Sequence, residues 1–340
     1  MTERYQNYPP TPRPSSYGKV SFFLRRFWGS LFPPEIPPDH IMPEEAAVKQ
    51  LNSVNNKNTL TWLGHSTFLI RLHGKTILTD PFLTERASPI AWAGPGRFVP
   101  PGISIEKLPT IDIVIVSHNH YDHLDEKTIE SLPGKENIHV VVPLGLKIFF
   151  TQRGYRSVKE LDWGEDIWVD HIQLTSLPAV HFSGRGIGDG NKTLWCSWAI
   201  FSSTCKYYFA GDTAYSSTIF RDIGKKYKYF DLAIVPIGAY EPQYIMKEFH
   251  TTPEEAIEIG RDVRADFMVG SHWGTIELSD EPHWEPPRRF FAYAEKAGIH
   301  KKRIWVMKTG ETRSLPQTPL QAQEMKSGNL LTNAEKGGNQ

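Results

Sequence analysis

Hydrophobic and polar positions divide the chain into three stretches. Residues 1–40 are broken up by Pro9, Pro10, Pro12 and Pro14, then by an aromatic and basic run at 17–32, and a second proline-rich stretch spans 33–43. A start of this kind is expected to be extended and partly mobile. Beyond it, short runs rich in β-branched and aromatic residues predict strands at 59–63, 67–72 and 76–79, with His73-Gly74 as a turn. The near-continuous apolar run 112–117 reads as a buried strand. Further strands are expected at 138–142, 172–177, 194–201, 207–210, 232–237, 267–270 and 303–307. Helical patterns fall between them at 125–131, 145–153, 218–227, 253–263 and 288–297. Thr252-Pro253-Glu254-Glu255 has the form of a helix start, with Thr as N-cap, Pro at the first helical position and acids in the first turn. The mixture predicts one α/β domain over 41–315. The polar, Gly/Asn/Lys-rich tail 316–340 is expected to be disordered.

Composition narrows the classes of function. Among 340 residues, 38 Lys+Arg balance 38 Asp+Glu, so the net charge is zero. A nucleic-acid partner normally demands a basic excess, and none is expected here. Cys196 and Cys205 stand outside any CxxC and predict two reduced thiols in a cytoplasmic protein. No run of roughly 20 apolar residues predicts a membrane span, and the N-terminus lacks the apolar core of a signal peptide. The run 17–32 is too short to span. It has two readings: it lies in a membrane interface with Arg at the headgroups, or it packs on the domain or on a partner subunit.

The candidate chemistry sits where predicted strands end. His118-Asn119-His120-Tyr121-Asp122-His123 follows the strand at 112–117 and supplies three imidazoles and a carboxylate, a donor set that suits zinc. Cysteine thiolates, the usual structural zinc ligands, are absent from it, which points to a catalytic site. His181, Asp212 and His272 each follow a later strand. Strand ends and the loops after them are where a rigid sheet presents reactive groups.

HxHxDH after a buried strand, followed in order by His, Asp and His, resembles the metallo-β-lactamase fold superfamily. The resemblance implies an αββα sandwich: two β-sheets flanked by helices, with metals at the sheet edge. It implies that His118, His120 and His181 hold one zinc, that Asp122, His123 and His272 hold a second, and that Asp212 bridges them. Leu63-Gly64-His65-Ser66-Thr67, Leu78-Thr79-Asp80-Pro81, Arg86-Ala87-Ser88-Pro89, Phe209-Ala210-Gly211-Asp212-Thr213, Pro236-Ile237-Gly238-Ala239-Tyr240-Glu241-Pro242 and His272-Trp273-Gly274-Thr275 are similar to the N-acylphosphatidylethanolamine-hydrolysing phospholipase D family. That family splits its lipid into an N-acylethanolamine and phosphatidic acid. The resemblance therefore implies a zinc-dependent phosphodiesterase with two ions per chain, a phospholipid substrate at a membrane surface, peripheral membrane association and a homodimer. Two stretches depart from the animal members: 182–190 is more glycine-rich, and Phe249 replaces a polar residue.

Asp122, Asp212, His250 and Tyr121 are the residues expected to take part in the reaction. His250 reads as a phosphate contact or a surface histidine, and Tyr121 as a substrate contact or packing. Asp80 either orients a ligating histidine or turns the chain before Pro81, and the resemblance favours the first. Arg185 is solvated or meets a phosphate. His65 organises the site floor or caps a turn. The alternative function is a metal-dependent lactonase or phosphodiesterase acting on a small soluble substrate.

Overall fold

The computed structural model describes residues 4–10, 34–54, 57–90, 92–186 and 188–315. The 17–32 run and the 316–340 tail lie outside them. The strands in chain order are β1 (Thr59–Gly64), β2 (Thr67–Leu72), β3 (Lys75–Thr79), β4 (Ile113–Ile115), β5 (His139–Pro143), β6 (Ser157–Leu161) and β7 (Asp166–Val169). They continue with β8 (Ile172–Leu177), β9 (Ser197–Phe201), β10 (Lys206–Phe209), β11 (Phe230–Pro236), β12 (Ala265–Ser271), β13 (Ile304–Trp305) and β14 (Thr312–Ser314). They form two seven-stranded sheets, ordered β14-β1-β2-β3-β4-β5-β6 and β13-β12-β11-β10-β9-β8-β7.

Alternation along the strands explains the layers. In the first sheet Leu60, Trp62, Phe68, Ile70, Leu72, Ile77, Ile113, Ile115 and Val141 join the core shared with the second sheet. Their neighbours Leu63, Leu69, Leu78, Val114, Val116, Val140 and Val142 point the other way, into a second core. Period-two alternation with apolar residues on both sides means a sheet covered on both faces. The outer cover comes from three helices, α1 (Glu44–Ser53), α2 (Glu126–Ser131) and α3 (Lys147–Thr151), through Ala47, Leu51, Ile129 and Phe150. On the second sheet, α4 (Ser217–Tyr227), the short α5 (Gln243–Met246), α6 (Pro253–Asp262) and α7 (Glu285–Lys296) follow. Phe220, Ile257 and Phe290 from this group belong to the same hydrophobic cluster as the second sheet. The result is the expected αββα sandwich. The N-terminus of α6 carries a complete capping box: Glu255 N donates to Thr252 Oγ1 at 3.2 Å, and Thr252 N donates to Glu255 Oε2 at 2.9 Å.

Strand direction gathers the site. β1 and β3 are both antiparallel to β2, and β4 is parallel to β3. These three strands therefore end on one side of their sheet. In the other sheet β8 and β10 are both antiparallel to β9, while β11 and β12 continue parallel to β10. The residues that follow these strands include His65, Asp80, His118, His181, Asp212, His250 and His272, and they meet at one end of the sandwich.

Five elements escaped the sequence expectations: α1, the short α5, β6, β7 and β14. β6 and β7 are edge strands with little of their surface buried, so they lack the apolar runs that mark the interior strands. The strand expected at 303–307 shortens to β13, because residues Lys301–Arg303 form a 3-10 turn. Cys196 and Cys205 are buried and form no disulfide.

Candidate metal centre

The centre is assembled at strand ends where the backbone is strained. His65 (φ 56°), Asp80 (φ 35°) and His272 (φ 59°) all occupy the left-handed region, which costs roughly 1–3 kcal/mol per non-glycine residue and recurs at functional sites. Gly211 has φ 59°, and a Cβ on it would fall 2.4 Å from Ser117 Cβ. Only glycine lets the loop after β10 press against the loop after β4, and this contact brings Asp212 beside His118.

The donors converge in overlapping groups. The ring nitrogens of His118, His120 and His181 lie together, and His65, Asp122, His123 and His272 form a second group. His120 Nδ1 is 2.8 Å from His118 Nε2 and 3.3 Å from His181 Nε2. Asp212 Oδ2 stands between the groups: 3.1 Å from His272 Nε2, 3.2 Å from His123 Nε2, 3.8 Å from His181 Nε2 and 4.0 Å from His118 Nε2. All seven expected metal ligands meet here. His250 joins them, with its Nδ1 3.9 Å from Asp212 Oδ2.

Hydrogen bonds behind the rings fix which nitrogen faces the centre. Asp80 is fully buried, and its Oδ2 accepts from His123 Nδ1 at 2.7 Å. Its two oxygens also accept from Ser117 N and Ser117 Oγ, both at 2.6 Å. Because Ser117 Oγ donates to Asp80, it accepts from His118 Nδ1 at 2.9 Å. One carboxylate thus sets the tautomers of two histidines and turns both Nε2 lone pairs inward. His181 Nδ1 donates to the Phe249 carbonyl at 2.9 Å, with the same result. His65 Nε2 donates to Asp122 Oδ2 at 2.9 Å. Burial pushes the Asp80 carboxyl upward, opposed by His123 and Ser117, and every contact named for its oxygens is with a donor.

Electrostatics calls for cations. Burial chiefly lowers His118, His120 and His181, with His120 falling to about 4, so these rings are neutral and offer lone pairs. His123 behaves oppositely. Burial opposes its protonation, but Asp212, Asp122 and Asp80 outweigh it and hold the ring well above the ordinary histidine range. His272 is likewise pushed up to about 9, with burial opposing and Asp212 and Asp122 prevailing. His123 Nε2, His272 Nε2 and Asp212 Oδ1 are nevertheless buried without a well-formed hydrogen bond. Neutral imidazoles, ionised carboxylates and orphaned polar atoms at one point fit divalent metal ions.

A family model described as the beta-lactamase superfamily domain matches residues 75–273, most of this sandwich. The chain belongs to that superfamily. Within it, the chain is 42% identical over 238 residues to N-acyl-phosphatidylethanolamine-hydrolyzing phospholipase D 1 of Caenorhabditis elegans, covering 67% of each chain. It is 37% identical over 262 residues to the mitochondrial N-acyl-phosphatidylethanolamine-hydrolyzing phospholipase D of Saccharomyces cerevisiae, covering 74% of this chain and 55% of that one. These relatives place it in the N-acylphosphatidylethanolamine-hydrolysing phospholipase D family. The matched region spans about two thirds of the worm protein's length and about half of the yeast protein's. Among solved structures, the fold is similar to a metallo hydrolase from Ignicoccus hospitalis (TM-score 0.57, 22% identity, 77% of this chain and all of that one). It is also similar to an isothiocyanate hydrolase from Delia radicum gut bacteria (TM-score 0.60, 20% identity, 75% and 98%). The protein is a metal-dependent hydrolase of this superfamily.

The remaining expected residues divide. His65 is buried against His272 and Asp122, and His250, part-exposed, lies beside His181 and His272. The Tyr121 hydroxyl donates to the Arg185 carbonyl at 2.8 Å, and its ring lies 3.9 Å from the Arg185 guanidinium. That guanidinium donates to the carbonyls of Asn119 (2.9 Å) and Leu124 (2.5 Å). Arg185 therefore braces the ligand loop from behind, and the expectation of a solvated side chain is corrected. Residue-type reasoning missed Ser117 as the link from Asp80 to His118, although its place between a buried strand and the first ligand was visible.

Proposed function

We propose that the protein is a two-zinc phosphodiesterase of the phospholipase D type, hydrolysing N-acylphosphatidylethanolamine to an N-acylethanolamine and phosphatidic acid at a membrane surface. The observation that carries this reading is a two-cation donor set opening onto an apolar rim. Asp80, Asp122 and Asp212 contribute three buried negative charges. Two divalent cations would overbalance them by one, leaving a place for one anionic oxygen. Asp122 and His250 keep 12% of their side chains exposed, against 0–2% for His118, His123, His181, Asp212 and His272, so the centre opens on their side. At this opening the half-buried rings of Phe182 and Phe249 lie 4.5 Å apart, with Phe182 4.4 Å from His120. Tyr121, next to His120 in the ligand loop, packs partly buried with Leu278 against Phe82, Ala87 and Ile276. In the loop following Ala87, Ile90 is 45% and Trp92 82% exposed. Aromatic and aliphatic groups of this kind suit a lipid better than a small polar ester. No helix among the described residues is long and apolar enough to cross a membrane.

Zinc ions bound here would activate a water near neutral pH and would withdraw charge from the phosphoryl oxygens. His118, His120 and His181 would hold one ion and Asp122, His123 and His272 the other, with the Asp212 carboxylate close to both groups. Burial lowers the His250 ring to about 4, so near neutral pH it is uncharged and acts as a hydrogen-bond partner for a phosphoryl oxygen. Tyr121 offers its ring to the substrate, since its hydroxyl is engaged by Arg185. Water supplies the oxygen that joins phosphorus. The bond from phosphorus to the ethanolamine oxygen breaks, and N-acylethanolamine leaves carrying the proton.

Incubation with N-acylphosphatidylethanolamine, phosphatidylethanolamine, phosphatidylcholine and a soluble phosphodiester tests the substrate. Release of N-acylethanolamine from the first, with little turnover of the others, is expected. Equal or faster turnover of the soluble diester would replace this reading with a phosphodiesterase or lactonase of small soluble substrates.

A further inference from the structure

Residues 4–10 lie across the domain, far in sequence from the ligands yet fastened to one of them. The Arg4 guanidinium donates to the carbonyls of Gly188, at 3.0 Å, and Gly190. Tyr5 N donates to the Asn191 carbonyl at 2.9 Å. Two residues on, Asn7 grips His181 by its main chain: Asn7 Nδ2 donates to His181 O at 3.0 Å, and Asn7 Oδ1 accepts from His181 N at 3.1 Å. The same Oδ1 accepts from Trp195 Nε1 at 2.9 Å.

His181 needs such a partner. It lies beyond the end of β8 and belongs to no strand, so no neighbouring ladder pairs its N–H and C=O. A buried peptide group left unpaired costs about 1–3 kcal/mol. An asparagine amide carries one donor and one acceptor face and can pair with a peptide group as an adjacent strand would. The ring of His181 is fixed separately, by the Phe249 carbonyl on Nδ1. The strap and that carbonyl therefore hold the ligand at two points, backbone and ring. The loop at 182–191 is also closed on itself, with Ser183 N donating to Asn191 Oδ1 at 3.2 Å and Asn191 N to Ser183 O at 2.8 Å. Arg4 and Tyr5 press on this closed loop, and Asn7 sits at its root. Residues 4–10 precede the 75–273 stretch of the family match.

We propose that Asn7 is a positioning residue for the metal centre: the N-terminal strap sets the place of His181 and thereby the affinity of the ion shared by His118, His120 and His181. The proposal rests on the two-zinc reading above. Its test is zinc binding by the full chain, measured by chelator competition on Asn7→Leu, which keeps the bulk and removes the amide's two hydrogen bonds to His181 and the one from Trp195. One of the two zinc ions should bind about tenfold more weakly, as is usual when a group behind a ligand is removed, while the other keeps its wild-type affinity. His181→Ala identifies which binding step belongs to the three-histidine face. Unchanged affinity for both ions, or equal weakening of both, overturns the proposal, including the case in which only the melting temperature of the metal-free protein falls. Should Asn7→Leu not fold, Arg4→Ala serves instead, with a weakening of about two- to threefold in the same ion and no change as the contrary result. If the wild-type chain binds no zinc, the metal reading fails rather than the role of Asn7.

Discussion

Replacing Asp212 by Asn should abolish nearly all turnover, lowering kcat/KM by about 10³-fold or more, and should reduce bound zinc from two ions per chain toward one. The substitution keeps the shape of the side chain and removes its charge. Asp212 Oδ2 is within 4.0 Å of ring nitrogens from five histidines, His118, His123, His181, His250 and His272. It is also the strongest influence raising both His123 and His272 against their burial. An amide there can attract neither cation as an ion does. Elemental analysis alongside steady-state kinetics checks both parts. A variant with full activity and two ions would remove Asp212 from the bridging position.

Asp80→Asn should weaken zinc about 10- to 100-fold and lower kcat with KM little changed. Asp80 is 0% exposed and touches no solvent-facing surface, so it meets no substrate. Its effect passes through His123 directly and through Ser117 to His118. Asparagine tolerates the φ of 35° at this position, so the backbone is spared. The new amide cannot accept from all three donors at once, and each buried donor left over costs about 1–3 kcal/mol of stability. Excess zinc should restore part of the activity. Chelator competition, thermal melting and kinetics at two zinc concentrations separate these effects. A raised KM with unchanged metal affinity would place Asp80 at the substrate instead.

Much of this centre was legible in the sequence because its parts have strong local signatures. His118, His120, Asp122 and His123 are contiguous and follow a buried strand. His181, Asp212 and His272 each end a run whose β character is plain, and strand direction then gathers them. The interior strands show themselves by alternation, as Phe68, Ile70 and Leu72 face one core and Leu69 the other. Features without local signature stayed hidden. β6 and β7 are edge strands whose polar residues resemble loop. Phe249 drew notice for its side chain, yet its carbonyl orients His181, and any residue supplies a carbonyl. Asn7 is 174 residues from His181, a pairing that no periodicity announces. Arg185 reads as a solvated loop residue until the fold lays it over Tyr121.

On the proposed mechanism, catalysis needs two metal ions at the Asp212-centred cluster. Metal-free protein should be titrated with zinc while N-acylethanolamine release from N-acylphosphatidylethanolamine vesicles is followed. Activity is predicted to be absent without zinc and to level off only at two equivalents per chain. Full activity at one equivalent, or activity that survives complete metal removal, would contradict it.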